Sequence, residues 1–210
     1  MIIEAENLSI KRGNKQIVSN FSFTADFGEF IIITGKSGSG KTTLINELSL
    51  LENQHSGILN YYNKSELTNK RIQLLRRNCI SYMFQNYGLI ESMSVLDNLK
   101  LALKFNKETD ESAVDAYLEK FELSNLKKKK VSFLSGGEQQ RVALIRSLLK
   151  PFDILFADEP TGNLDQENGM ILVNYLQNLV TQSNKSVVMV THDENLFQYA
   201  NQIIHLTENK

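Results

Sequence analysis

Four short segments of the chain are apolar almost throughout: Glu29 to Thr34 (EFIIIT), Cys79 to Phe84 (CISYMF), Ile154 to Ala157 (ILFA) and Ser186 to Val190 (SVVMV). A strand with one wet face alternates apolar and polar positions. A strand apolar on both faces belongs in a parallel sheet covered by helices. Two earlier segments, Ile2 to Ile10 and Ile17 to Thr24, alternate more and read as half-exposed strands. Ile203 to Thr207 is a candidate last strand.

Helical patterns lie between these strands. Lys41 to Leu51 follows the first buried strand. Ser94-x-x-Asp97 resembles a capping box and opens an apolar-spaced segment reaching Phe105. Val114, Leu118 and Phe121 keep the i, i+4, i+7 spacing of a helix face. Ser135 to Leu149 places Val142, Ile145 and Leu149 on one face and stops at Pro151. The pattern predicts one α/β domain over residues 1–210 with a three-layer core. Residues 1–86 and 151–210 form the core lobe, and 87–150 an inserted helical lobe.

Composition narrows the picture. At roughly 150 residues per domain, 210 residues make one domain with an inserted lobe, or at most two small ones. Lys plus Arg is 23 and Asp plus Glu 24, a net charge of −1. That balance supplies no field to hold a polyanion, which argues against nucleic acid as a partner. One cysteine, Cys79, excludes an internal disulfide and a cysteine metal cluster, and its apolar strand makes it a core residue. Only Pro151 and Pro160 are prolines, and no Ser/Gly-rich linker or internal repeat is visible. The start Met1-Ile2-Ile3-Glu4 lacks the basic region of a signal peptide, and no run approaches the ~18 apolar residues of a membrane span. The expected location is the cytosol, or the cytosolic face of a membrane.

The first chemical motif follows EFIIIT. Gly35-Lys36-Ser37-Gly38-Ser39-Gly40-Lys41-Thr42 is the Walker A pattern G-x-x-x-x-G-K-[ST] of P-loop nucleotide triphosphatases. Its glycines let successive N–H groups turn toward phosphate oxygens, and the next helix aims its positive end at the same point. The candidate phosphate-binding residues are therefore Gly35, Lys36, Ser37, Gly38, Ser39, Gly40, Lys41, Thr42 and Thr43. Lys41 would reach the β- and γ-phosphates, and the Thr42 hydroxyl would ligate Mg²⁺. Kinases, GTPases, helicases and transport ATPases all use such a cradle, so it names no reaction by itself.

The second constellation is the acid pair Asp158-Glu159, which ends the strand ILFA. Ligands of parallel α/β sheets sit at the carboxyl ends of strands. Asp158 is placed to hold Mg²⁺, and Glu159, one residue on, to polarise a water for in-line attack. The third motif is Leu134-Ser135-Gly136-Gly137-Glu138-Gln139-Gln140-Arg141. Ser135 is a good N-cap, but two glycines in a first turn cost roughly 1 kcal/mol each. Bare N–H groups beside a serine hydroxyl make a second anion site, although one nucleotide needs only one cradle. Two cradles suggest that each subunit completes its partner's site.

LSGGEQQR is similar to the signature motif of ATP-binding cassette (ABC) ATPases, and the resemblance runs the length of the chain in the family's order. Walker A is Gly35 to Thr42, the Q-loop glutamine matches Gln85, and the signature is Leu134 to Arg141. Walker B is Ile154 to Asp158 with Glu159 beside it. The D-loop matches Asn163-Leu164-Asp165, and the switch histidine matches His192. The resemblance implies a P-loop core with a helical and an antiparallel β subdomain. It implies a head-to-tail homodimer enclosing two ATP molecules, each touching Walker A of one chain and Ser135, Gly136, Gly137 and Glu138 of the other. Gln85 would help ligate Mg²⁺ and sense a membrane partner, Glu159 would be the general base, and His192 would contact the γ-phosphate and hold Glu159 and the water.

One departure stands out. The aromatic residue that stacks on adenine in the family falls at Lys11-Arg12-Gly13, where Arg12 takes its place. Either the guanidinium stacks on the base, or Arg12 is solvent-exposed and adenine is held weakly. Lys127 to Lys130 reads as a solvated loop, with a lipid head-group or partner contact as the alternative.

The segments Asp158 to Asp165 and Gln85 to Ile90 look like the branch serving macrolide exporters, lipoprotein-release systems, bacteriocin exporters and cell-division ABC proteins. About 18 residues follow His192, too few for a regulatory domain. The reading is the ATPase subunit of an exporter, driving a permease on a separate chain. The alternative is a cell-division-type mechanotransmitter that regulates a cell-wall hydrolase without transport. Soluble ABC proteins acting on DNA or ribosomes carry coiled coils or two cassettes, and a small-molecule kinase explains neither LSGGEQQR nor Glu159.

Overall fold

The apolar segments lie side by side in one parallel sheet. The computed structural model describes residues 1–104, 111–162 and 164–207. β1 (Ile3–Arg12), β2 (Lys15–Ala25) and β4 (His55–Tyr61) form a three-stranded antiparallel sheet in the order β2-β1-β4. β3 (Phe30–Thr34), β5 (Ile80–Met83), β6 (Ile154–Asp158), β7 (Ser186–Val190) and β8 (Gln202–His205) form the parallel sheet, ordered β5-β6-β7-β3-β8.

Each central strand is buried on both faces because successive side chains point to opposite sides and each side has its own core. Phe30 and Ile32 of β3, Leu155 and Ala157 of β6, and Val187 and Met189 of β7 face a second set of elements. That cluster is built by α3 (Val95–Leu103), α4 (Glu111–Lys120) and α5 (Gly136–Leu148) of the inserted lobe and by α6 (Gln166–Ser183) of the core lobe. Ile31, Ile33, Ile154, Phe156, Val188 and Val190 face the other way, onto α1 (Lys41–Leu48), α2 (Asn69–Asn78) and the antiparallel sheet. The result is a three-layer α/β architecture with a separate antiparallel sheet.

Several elements differ from the sequence expectation. α1 ends at Leu48 rather than Leu51, because Leu50 takes a left-handed φ of 58° that no helix continues. α3 spans Val95–Leu103, and Phe105 lies outside the described residues. The stretch 87–93 is loop, and 3₁₀ turns occupy Ser124–Leu126 and Val131–Phe133, so the inserted lobe is not helical throughout. β4, α2 and α6 were not foreseen. β4 buries little beyond Leu59 and Tyr61, which hides its period-two pattern. α6 does carry a helical stripe, Gly169, Leu172, Val173, Leu176 and Val180, capped by Asp165.

The glycine-rich start of α5 is secured by a full capping box. The Ser135 hydroxyl accepts from Glu138 N (3.3 Å), and the Glu138 carboxylate accepts from Ser135 N (2.7 Å). These bonds satisfy two exposed donors and offset part of the glycine cost.

Candidate functional site

β5, β6, β7 and β3 are neighbours, and their carboxyl ends carry, in that spatial order, Gln85, the pair Asp158 and Glu159, His192, and the glycine loop. Parallel pairing forces this convergence: every strand ends on the same edge of the sheet. Motifs more than 150 residues apart in sequence thereby share one crevice.

The loop from Gly35 to Gly40 rises between β3 and α1. Lys36, Ser37, Gly38 and Thr42 are exposed along its rim, whereas Lys41 is 8% exposed. The Lys41 ammonium donates to the carbonyls of Gly35 and Lys36, both at 2.9 Å. The cation is thus held at the mouth of its own loop. Gly40, at φ 93°, is required there: a Cβ would come within 2.6 Å of the Ile17 side chain.

Thr42, Gln85 and Asp158 line one cavity of ≈ 640 Å³. Asp158 is 3% exposed, and its Oδ1 has no hydrogen-bond partner. Burial pushes its carboxyl pKa above the usual range. The Thr42 hydroxyl and Lys41 pull it back, and Glu159 adds to the rise. An orphaned buried carboxylate oxygen beside a threonine hydroxyl and a glutamine amide is an oxygen-only donor set suited to Mg²⁺. The described residues hold no group of three or more His, Cys, Asp or Glu able to bind a metal. An ion here would complete its shell with phosphate and water, as Mg²⁺ does in nucleotide sites.

Glu159 and His192 line an adjoining cavity of ≈ 600 Å³ with Leu164 and Asp165. Glu159 adopts φ 45°, a left-handed conformation costing on the order of 1–3 kcal/mol outside glycine. Its N–H donates to Val190 O at 3.0 Å, which ties the turn to β7. Its carboxylate lies 3.5 Å from His192 Nδ1. Asp165 caps α6, accepting from Asn168 N at 2.8 Å, and the amide bonds from Asn168 hold its pKa below the usual range. Asn163, of the same expected loop, lies outside the described residues.

Neither cavity includes Ser135, Gly136, Gly137 or Glu138. The signature segment packs instead against Tyr87 and Leu164, and Ser135 and Gly136 face solvent. The geometry therefore gathers Lys41, Thr42, Gln85, Asp158, Glu159 and His192 and leaves the signature residues outside.

Arg12 has partners that its sequence position did not announce. Its guanidinium neither lies free over a base site nor is simply solvated. It donates to Gln54 Oε1 at 2.6 Å, pairs with Glu52, and approaches fully buried Glu47 at 4.0 Å. Glu47 of α1 and Glu52 and Gln54 of the loop after it hold the guanidinium by its edge, a third of the side chain remaining exposed.

Two further residues escaped the sequence reading, Asn46 in the Thr42 cavity and Arg146 beside the loop that follows Gln85. Asn46, one turn after Thr42 on α1, accepts from the Tyr82 hydroxyl (2.8 Å) and donates to Glu52 (3.1 Å). The i, i+4 spacing from Thr42 was the available signal. Arg146 of α5 donates to the carbonyls of Gly88 (2.7 Å) and Tyr87 (2.9 Å), fastening the loop after Gln85 to the helical lobe.

Comparison with known proteins gives a consistent result. A family model described as ABC transporter matches residues 18–162. The macrolide export ATP-binding/permease protein MacB of Campylobacter jejuni is 35% identical over 214 residues, covering 100% of this chain and 33% of that protein. The chain thus spans about a third of the length of the MacB proteins it matches. The phosphonates import ATP-binding protein PhnC of Fusobacterium nucleatum is 34% identical, covering 91% of this chain and 86% of that one. Among solved structures, the dimeric post-hydrolysis state of the ATP-binding cassette MJ0796 with ADP and Pi superposes with a TM-score of 0.90 at 31% identity. It covers 98% of this chain and 94% of that chain.

Proposed function

This chain belongs to the ABC transporter family as an ATP-hydrolysing cassette, and we propose that it powers an exporter-type permease supplied outside these 210 residues. In this reading two copies close head to tail on two ATP molecules. The observation that carries it is the split between the two anion sites. The loop at Gly35 to Thr43 has the lysine, the acid pair and the histidine around it, whereas Ser135 to Glu138 is turned to solvent on the other lobe. A second copy brings the missing half.

The roles follow from the positions. Lys41 releases the carbonyls of Gly35 and Lys36 and donates to the β- and γ-phosphates. Thr42, Asp158 and Gln85 would hold Mg²⁺, which neutralises charge on the phosphate oxygens. Glu159 accepts the proton of the attacking water as its oxygen bonds to the γ-phosphorus and the bond to the leaving ADP breaks. His192 positions that carboxylate and the phosphate. Ser135 and the N–H groups of Gly136 and Gly137 bind the γ-phosphate of the other copy's ATP, with Glu138 beside them.

A groove of ≈ 630 Å³ between the lobes supports a permease contact. Phe84 and Gly88, which flank the Gln85 loop, line it with Arg76, Arg146 and Lys150. A permease element seated there would press on Gln85 through the loop that Arg146 holds. Export is favoured by likeness to macrolide export proteins over the whole chain. The test is capture from membranes by the Glu159→Gln protein with ATP, identifying the bound chain by mass. A permease with few spans and a large extracytoplasmic domain is expected. A cell-wall hydrolase complex would favour mechanotransmission without transport, and a ribosomal or nucleic-acid component would overturn the transporter reading.

A further inference from the structure

Phe133 is 68% exposed, the most exposed large apolar side chain among the described residues. Its backbone is nevertheless fixed. It ends the 3₁₀ turn Val131–Phe133, where Val131 N donates to Met93 O (3.0 Å), Ser132 N to Glu91 O (3.2 Å) and Phe133 N to Lys130 O (3.1 Å). Leu134 and Ser135 follow in extended conformation. Along extended chain, side chains alternate. Leu134 is buried in the helical lobe, whereas Phe133 and Ser135 on either side of it are both exposed, two residues apart in the chain. A phenyl ring this exposed on a hydrogen-bonded backbone turn is open to contact from a second molecule.

The nucleotide site has a matching deficit. A flat, weakly polar base needs a flat apolar surface. At the β1–β2 end Arg12 is bound to Glu52 and Gln54, and the turn Lys11 to Lys15 holds no aromatic residue. We propose that Phe133 of one copy supplies the aromatic surface for the base of the nucleotide held in the other copy's glycine loop. With Ser135 on the γ-phosphate, Phe133, two residues back in the chain, would be within reach of the nucleoside end of the same nucleotide. This rests on the two-chain reading above. Its consequence is that base recognition is completed only when the dimer closes.

The sequence contains no tryptophan, so Phe133→Trp places a single indole at this point. In the Glu159→Gln background, light scattering and indole fluorescence are read together during titration with ATP and with ADP. ATP is expected to quench the indole at the chain concentrations where the dimer forms, and ADP to leave both signals at their monomer values. A dimer with unchanged fluorescence overturns the proposal, as does quenching in the monomer, which would put the contact within one chain. If the parent Glu159→Gln protein forms no dimer, the two-chain reading fails first and this assignment falls with it. In parallel, Phe133→Ala is expected to raise the KM for ATP about tenfold, with monomer ATP affinity unchanged and Phe133→Tyr restoring the parent value. An unchanged KM for Phe133→Ala also overturns the assignment.

Discussion

His192 Nδ1 stands 3.5 Å from Glu159 Oε1, each residue just past the end of a neighbouring parallel strand. That distance is long for a good hydrogen bond but close enough to bias the carboxylate. The Glu159 side chain is 23% exposed and that of His192 70%, so the acid is seated and the imidazole has room to turn toward a phosphate. His192→Ala is expected to lower kcat about a hundredfold with ATP affinity nearly unchanged. Steady-state hydrolysis with parallel equilibrium binding checks it. A matching loss of affinity would make His192 a simple binding residue.

Lys41 is a buried cation whose partners are carbonyls of its own loop. Lys41→Ala removes both the phosphate donor and the clasp. ATP affinity is expected to fall on the order of 10–100-fold, the worth of a charged hydrogen bond at about 1.5–3 kcal/mol. Calorimetric titration of the monomer is the measurement.

Asp158 is buried with one oxygen unpartnered, and burial raises its pKa above the ordinary 3.8. A carboxyl raised on folding is protonated more readily folded than unfolded. Its ionised form therefore costs stability above the folded pKa, and that cost disappears as pH falls toward 3.8. Asp158→Asn is expected to raise the melting temperature of the nucleotide-free chain by a few degrees at pH 7. The advantage should shrink through the acidic range and vanish below the ordinary carboxyl pKa. The same variant should lose the extra stabilisation that Mg²⁺ adds to ATP, which thermal melts with ATP and EDTA or Mg²⁺ would read.

Much of this was legible because parallel sheets write their strands as apolar runs. EFIIIT, ILFA and SVVMV became buried strands, and of CISYMF only Ile80–Met83 did, with Cys79 a half-buried cap of α2 and Phe84 exposed. The chemistry follows the ends of these strands at Gly35, Gln85, Asp158 and His192. What stayed hidden depends on partners distant in sequence. Arg12 could be placed near the nucleotide by motif order, but its capture by Glu52 and Gln54 is a property of the folded loop after α1. β4 pairs along one side with β1, so its exposed side chains masked it. α6 had a readable stripe, diluted by Asn168, Asn174, Gln177 and Asn178 on its other faces. Arg146 gave no sign in sequence that it would hold the carbonyls of Tyr87 and Gly88.

Ser135 serves its own helix as N-cap and faces solvent, away from the cavities around Lys41 and Glu159. Ser135→Arg is expected to leave monomer ATP affinity within about twofold while abolishing turnover, at a fold cost of about 1 kcal/mol for the lost cap. Loss of ATP binding by the monomer would place the signature in the chain's own site.

The most direct measurement is the mass of the Glu159→Gln protein in solution by light scattering, with and without saturating ATP. The expected result is a chain of 23.9 kDa without nucleotide and a stable particle of twice that mass with ATP, carrying two unhydrolysed nucleotides. A particle that stays at the single-chain mass with ATP bound, or a variant that hydrolyses ATP at the parent rate, would contradict the two-chain site and the role of Glu159 in it.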